Sequence, residues 1–199
     1  MKLSQINKPK LIAVEGIDEV NFFDVLLTHL GISDVLIVNF EGKTNFRARI
    51  QAIINIPGFR NVRTFALIRD ADNLLPQSAF DSIKDSLKSA NLPVPGEINK
   101  FTDSSPSVGV YIMPGSSEKG MLEDLCLKSI KELSINECID NFFECANMDI
   151  PNMAKAKTLC YLATKTPLVN RLGLGALKGH WDLDSSVFDE LKDFLRNLA

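Results

Sequence analysis

Short apolar runs alternate with longer amphipathic stretches through the first half of the chain. Lys10–Val14 (KLIAV) is an unbroken apolar run closed by Glu15-Gly16, the pattern of a buried strand and a turn. Asp18–Leu30 then sets Val20, Phe23, Leu26, Leu27 and Leu30 on one helical stripe, with Asp18 as its expected N-cap and Gly31 as its C-cap. Asp34–Phe40 (DVLIVNF) reads as a second strand. Thr44–Ile56 reads as a helix with Phe46, Ile50, Ile53 and Ile54 on one face, ended by Pro57-Gly58. Arg63–Ile68 (RTFALI) is a third strand that runs into Asp70-Ala71-Asp72, and Pro76–Ala90 is a helix on a Phe80, Ile83, Leu87 stripe. Pro93–Ser107 is a proline-punctuated loop with room for a weak strand. Val108–Met113 (VGVYIM) is a fourth strand, closed by Pro114-Gly115.

Strands separated by helices require right-handed crossovers, so the chain predicts an α/β fold: a mostly parallel sheet with helices on both faces. The unbroken runs LIAV and VLIV fit a sheet covered on both sides. Beyond Ser116 no strand pattern recurs. Lys119–Leu133, Asn136–Met148, Asn152–Lys165 and Ser185–Leu198 read as helices, and Gly173–Gly179 (GLGALKG) as a glycine-rich link before Trp181. The expected organisation is an α/β domain over residues 1–117 and a helical extension over 118–199. The extension packs on the sheet, because short helices alone make a poor core.

Composition narrows the class. With 45% hydrophobic and 24% charged residues among 199, the chain is globular rather than disordered or collagen-like. No apolar run approaches the roughly 18 residues that cross a bilayer, and Met1–Lys10 is polar, so a cytoplasmic protein without a membrane partner is expected. Cys126, Cys138, Cys145 and Cys160 show no CxxC spacing and read as buried free thiols.

A net charge of −3 argues against coating nucleic acid through bulk basicity, but the charge is local. Gly42–Arg69 holds Lys43, Arg47, Arg49, Arg60, Arg63 and Arg69 with no acid. Pro151–His180 holds Lys155, Lys157, Lys165, Arg171 and Lys178, again with no acid. These stretches are ordinary solvated faces unless something acidic needs them.

The acids at the strand ends carry more information, because ligands of open α/β sheets sit outside the carboxyl ends of the strands. Strand one delivers Glu15, with Glu19 four residues on, and strand three delivers Asp70 and Asp72. If the two strands are neighbours, these carboxylates converge, and a hard divalent cation, Mg²⁺ or Mn²⁺, relieves their repulsion. The same acids also suit helix caps and turns. His29 and His180 are not placed as transition-metal ligands. No GxxxxGK[ST] and no GxGxxG after a strand is present.

An apolar strand ending in Val14-Glu15-Gly16, a βαβαβ frame, then a strand ending in Asp70-Ala71-Asp72 resembles the Toprim domain of topoisomerases, bacterial primases and OLD-type nucleases. Glu19 adds an EGxxE form similar to the OLD branch, and the likeness covers roughly Lys10–Gly115. Pro114–Leu125 (PGSSEKGMLEDL) and Lys178–Phe188 (KGHWDLDSSVF) extend a looser likeness to small uncharacterised bacterial Toprim-like proteins. The resemblance implies Mg²⁺-dependent phosphodiester chemistry on nucleic acid, DNA before RNA. It makes Glu15 a catalytic or metal residue and Asp70 and Asp72 metal ligands, with Glu19 and Glu123 in support. Lys119 or Lys157 would steady the phosphorane charge, while Arg47, Arg49, Arg60, Arg63 and Lys155 would meet backbone phosphates. No ATPase part precedes the matching region, which implies an ATPase partner in trans or independent action. Two other readings stay open: a non-catalytic metal- or nucleic-acid-binding module on the same frame, and phosphotransfer on a small nucleotide.

Overall fold

Lys10–Val14 (β1), Val35–Asn39 (β2), Thr64–Asp70 (β3) and Ser107–Met113 (β4) form one parallel sheet in the order β2-β1-β3-β4. This is a computed structural model, in which residues 4–40, 46–131 and 133–198 are described. Ile17–His29 (α1), Phe46–Ile54 (α2) and Pro76–Ser89 (α3) make the crossovers. Leu122–Ser129 (α4), Ser134–Ala146 (α5), Met153–Ala163 (α6), Leu172–Leu177 (α7) and Asp189–Arg196 (α8) follow the last strand. The protein is α/β with helices on both faces and a C-terminal helical extension, as its periodicities require. Among the described residues no helix is long and apolar enough to cross a membrane.

Strand alternation divides the core in two. Leu11 and Ala13 of β1, Phe65 and Leu67 of β3, and Val108, Val110 and Ile112 of β4 pack beneath α2 and α3. Ile12, Val14, Ala66, Ile68, Tyr111 and Met113 face the other way. They share a core with Phe22, Phe23 and Leu26 of α1 and with Leu122, Leu162, Leu172 and Leu191 of the extension. Phe22 meets Phe188 at 5.9 Å between ring centroids, so the segment that follows α7 completes a core begun by the first crossover.

Several local expectations are corrected. Asp18 lies inside the first turn of α1, whose N-cap is Gly16, and its carboxylate serves another helix. The Gly173 N–H of α7 donates to Asp18 Oδ1 at 3.1 Å, and Arg171 Nε lies 3.4 Å from Oδ2. The supposed glycine-rich link is thus largely helix α7. Its glycines permit close approach: a Cβ at Gly173 would fall 2.5 Å from the Asp18 carbonyl oxygen, and one at Gly175 would fall 2.7 Å from Leu162 Cδ2. The weak strand expected in the long loop is a single bridge from Phe101 to Gly109, where any Cβ would strike the Phe101 ring. All four cysteines are free, but only Cys126 is buried. Cys138 and Cys145 are exposed on α5, where only Ile139 is buried among the described residues, and Cys160 is half-buried. The expected start of the second helix at Thr44 and the basic residue Lys43 lie outside the described residues.

Candidate functional site at the carboxyl edge of the sheet

Strands β1 and β3 are hydrogen-bonded neighbours, with Ala13 level with Leu67. Two residues further along, Glu15 comes level with Arg69, one position short of Asp70. Neighbouring strands sit about 4.8 Å apart and rise about 3.3 Å per residue, so the Glu15 and Asp70 backbones lie roughly 6 Å apart. The main chain thus brings Glu15 and Asp70 to one edge of the sheet.

Their side chains leave that edge on different sides. Glu15 continues the Leu11–Ala13 side and is 6% exposed. Its Oε1 lies 3.6 Å from Arg69 Nε, an ion pair longer than a hydrogen bond. Arg69, placed by the same alternation, sets its guanidinium 5.2 Å from the Phe46 ring centroid and donates to Ser82 Oγ at 3.3 Å. In the sequence Arg69 is one of the basic residues of Gly42–Arg69, with no role of its own. The signal was its position: in TFALIRD it is the charged residue on the Phe65–Leu67 side of the strand.

Asp70 continues the Ala66–Ile68 side and is 8% exposed. Its Oδ1 accepts from the Leu122 N–H at 3.2 Å, one of the first N–H groups of α4, which has no partner within its own helix. The Asp72 N–H donates to the Gly120 carbonyl at 2.8 Å, and Asp72 takes φ 55°, a left-handed conformation that aspartate tolerates better than most residues. Asp124 Oδ2 accepts from the Met121 N–H at 2.9 Å. The aspartate turn after β3 is thus stitched to the start of α4. That attachment fixes Glu123 on the first turn of α4.

Glu123 is partly enclosed, with 15% of its side chain exposed, and Lys155 Nζ stands 3.8 Å from its Oε1. Burial pushes the Glu123 carboxyl above the ordinary carboxylate range, and the nearby Glu19 and Asp124 charges push it further, against opposing pulls from its backbone hydrogen bond and Lys155. Glu19 itself lies over Gly16, where a Cβ would meet its Oε2 at 2.7 Å. Two glutamates from different helices therefore crowd the same side of the edge as Asp70.

The expected basic partners divide. Arg47 and Arg49 stand in the first turn of α2, which a parallel crossover starts at the carboxyl edge, and Lys119 is exposed next to Gly120. Lys155 faces Glu123. Lys157 does not join them, because its ammonium pairs with Asp140 of α5. Arg60 and Arg63 precede β3 and so lie at the amino edge, about 20 Å away along the strand.

The donors are carboxylate oxygens throughout, the class that Mg²⁺ or Mn²⁺ prefers. Among the described residues no three His, Cys, Asp or Glu stand close enough to form a ready cage. Magnesium is usually held by one or two carboxylates, with water and substrate phosphate completing its shell. Crowded pairs such as Glu19 and Glu123 fit that mode. No curated protein and no solved structure matches the chain. Residues 9–199 match the family described as Protein of unknown function (DUF3226), and the chain belongs to that family.

Proposed function

We propose that the carboxyl edge performs metal-dependent phosphodiester chemistry on nucleic acid, nicking or cleaving it in the manner of a Toprim-like nuclease. The observation that carries this reading is the enclosure of Glu15 and Asp70 on adjoining ends of the two central strands. Asp70 and Asp72 would hold Mg²⁺ or Mn²⁺, with Glu19 and Glu123 on the same side supporting a second ion, and Glu15 would act from the other side of the edge as the acid–base group. The bound ion would supply charge neutralisation at the phosphodiester oxygens. Arg47, Arg49 and Lys155 would hold backbone phosphates on the same edge, and Lys119 would face the charge that develops at phosphorus. Arg69 keeps the Glu15 carboxylate in place when the substrate leaves. The reading places the protein in a reducing cytoplasm, acting on DNA before RNA, alone or with an ATPase supplied in trans.

A second reading is favoured by the bond from Leu122 to Asp70: a binding module in which these acids chiefly hold α4 in place. Supercoiled plasmid incubated with the protein and Mg²⁺ or Mn²⁺ separates the two. Conversion to nicked or linear forms, lost in Asp70→Asn and Glu15→Gln while circular dichroism is unchanged, supports the enzyme. A mobility shift without cutting supports the module. Full cutting by both variants rejects the site.

A further inference from the structure

The amino edge of the sheet carries a second charged feature. Residues 5–9, which lead into β1, run beside the 3-10 turn Phe59–Asn61 and its exit towards β3. Together with Ser105 they enclose an open cleft of about 590 Å³. The walls are well fixed. The buried Ile6 donates its N–H to the Pro57 carbonyl at 2.8 Å, and the Arg63 N–H donates to the Pro9 carbonyl at 2.7 Å. Gly58 takes φ 96° and passes so close that a Cβ there would sit 1.9 Å from the Ile6 carbonyl oxygen. Phe59 anchors the turn edge-on against Phe65, with centroids 5.7 Å apart.

The lining includes Lys8, Arg60 and Arg63 and no acidic residue. Lys8 Nζ donates to the Val35 carbonyl at 3.0 Å, which holds its charge beside the first strands. Among the described residues Arg60 and Arg63 enter no ion pair, although both are exposed and the chain as a whole is acidic. A fixed cleft with two guanidinium groups outside any ion pair and the amides of Asn7 and Asn61 offers the donors that phosphate accepts in forked geometry.

We propose that this cleft binds the phosphate groups of a ligand, at a site separate from the carboxylate edge and independent of the reading given for it. The phosphates come from a nucleic-acid backbone or from a free nucleotide, and two probes distinguish these sources. A labelled duplex oligonucleotide is followed by fluorescence anisotropy and ATP by calorimetry, both without divalent metal. Each is run on the wild-type chain, on Arg60→Ala/Arg63→Ala and on Lys131→Ala/Lys178→Ala, which removes two exposed basic charges elsewhere on the surface. Binding of either probe should weaken at least about tenfold in the double arginine variant, as loss of charge-assisted hydrogen bonds requires, and change less than about twofold in the double lysine variant. If the oligonucleotide is the ligand, the double variant should also flatten the plot of log affinity against log salt by about 2. Both arginines are exposed, so the variant should melt within about 2 °C of the wild type. Failure of both probes to bind, equal binding by the arginine variant, or an equal loss of binding in the lysine variant overturns the proposal.

Discussion

The two edges of the sheet treat charge in opposite ways. At the carboxyl edge Glu15, Asp70 and Glu123 are enclosed, and a guanidinium, a helix N–H and an ammonium stand beside them in turn. At the amino edge Arg60 and Arg63 stand in water on a turn held by backbone hydrogen bonds. An enclosed charge costs free energy unless its surroundings answer it, so the first edge is bound into the stability of the fold. An exposed charge costs little and can be given wholly to a ligand. Mutations at the two edges should therefore report different quantities.

The largest effect is expected at Arg69. Arg69→Ala strips the counter-charge from an enclosed carboxylate together with the packing against Phe46, and should lower unfolding free energy by about 3 kcal/mol in urea titration. Arg60→Ala at the other edge should cost less than about 0.5 kcal/mol. Equal losses at the two positions would erase the contrast. Replacing Glu15 by Gln in the Arg69→Ala background should recover part of the loss, because the enclosed charge that faced Arg69 is then gone.

A smaller effect separates two variants of one residue. Asp70→Ala leaves the Leu122 N–H without its acceptor and should cost about 1–2 kcal/mol. Asp70→Asn keeps an oxygen there and should cost visibly less by the same titration. If the two variants melt together, the bond to α4 contributes nothing to stability.

The subtlest test is pH. Burial and the Glu19 charge raise the Glu123 carboxyl, so the folded chain holds this proton more tightly than the unfolded one. Its contribution is then fully present below the ordinary carboxylate value and fades as pH rises through the raised folded value. Glu123→Gln should therefore melt higher than wild type at pH 7, and the gain should vanish below about pH 4. A gain that persists in acid would remove titration as its cause.

Much of the frame was readable because its signals are local. Lys10–Val14 is an apolar run bounded by a turn, and the strand lies over those same residues. What escaped the sequence depends on who meets whom. Asp18 looked like a cap for its own helix but serves Gly173, 155 positions away. The glycines of α7 looked like a link, yet their purpose is contact with α1, Leu162 and Trp181. Arg47, Arg49, Arg60 and Arg63 looked like one basic surface, but α2 carries the chain from one edge of the sheet to the other between the two pairs. The strand-end acids were found by position, while the way Glu15 and Asp70 part company follows from a one-residue offset that only the register discloses.

The pairing of Phe22 with Phe188 also bears on how the chain is made. Synthesis delivers the aromatic underside of α1 with Phe22, and the Phe188 that covers it 166 residues later. While the ribosome is still extending α6, Phe22, Phe23 and Leu26 have a sheet above them and much of their final cover still to come. A nascent chain in that state is a natural client for a holdase chaperone, and a ribosome stalled before Phe188 would release a fragment prone to stick to its own copies.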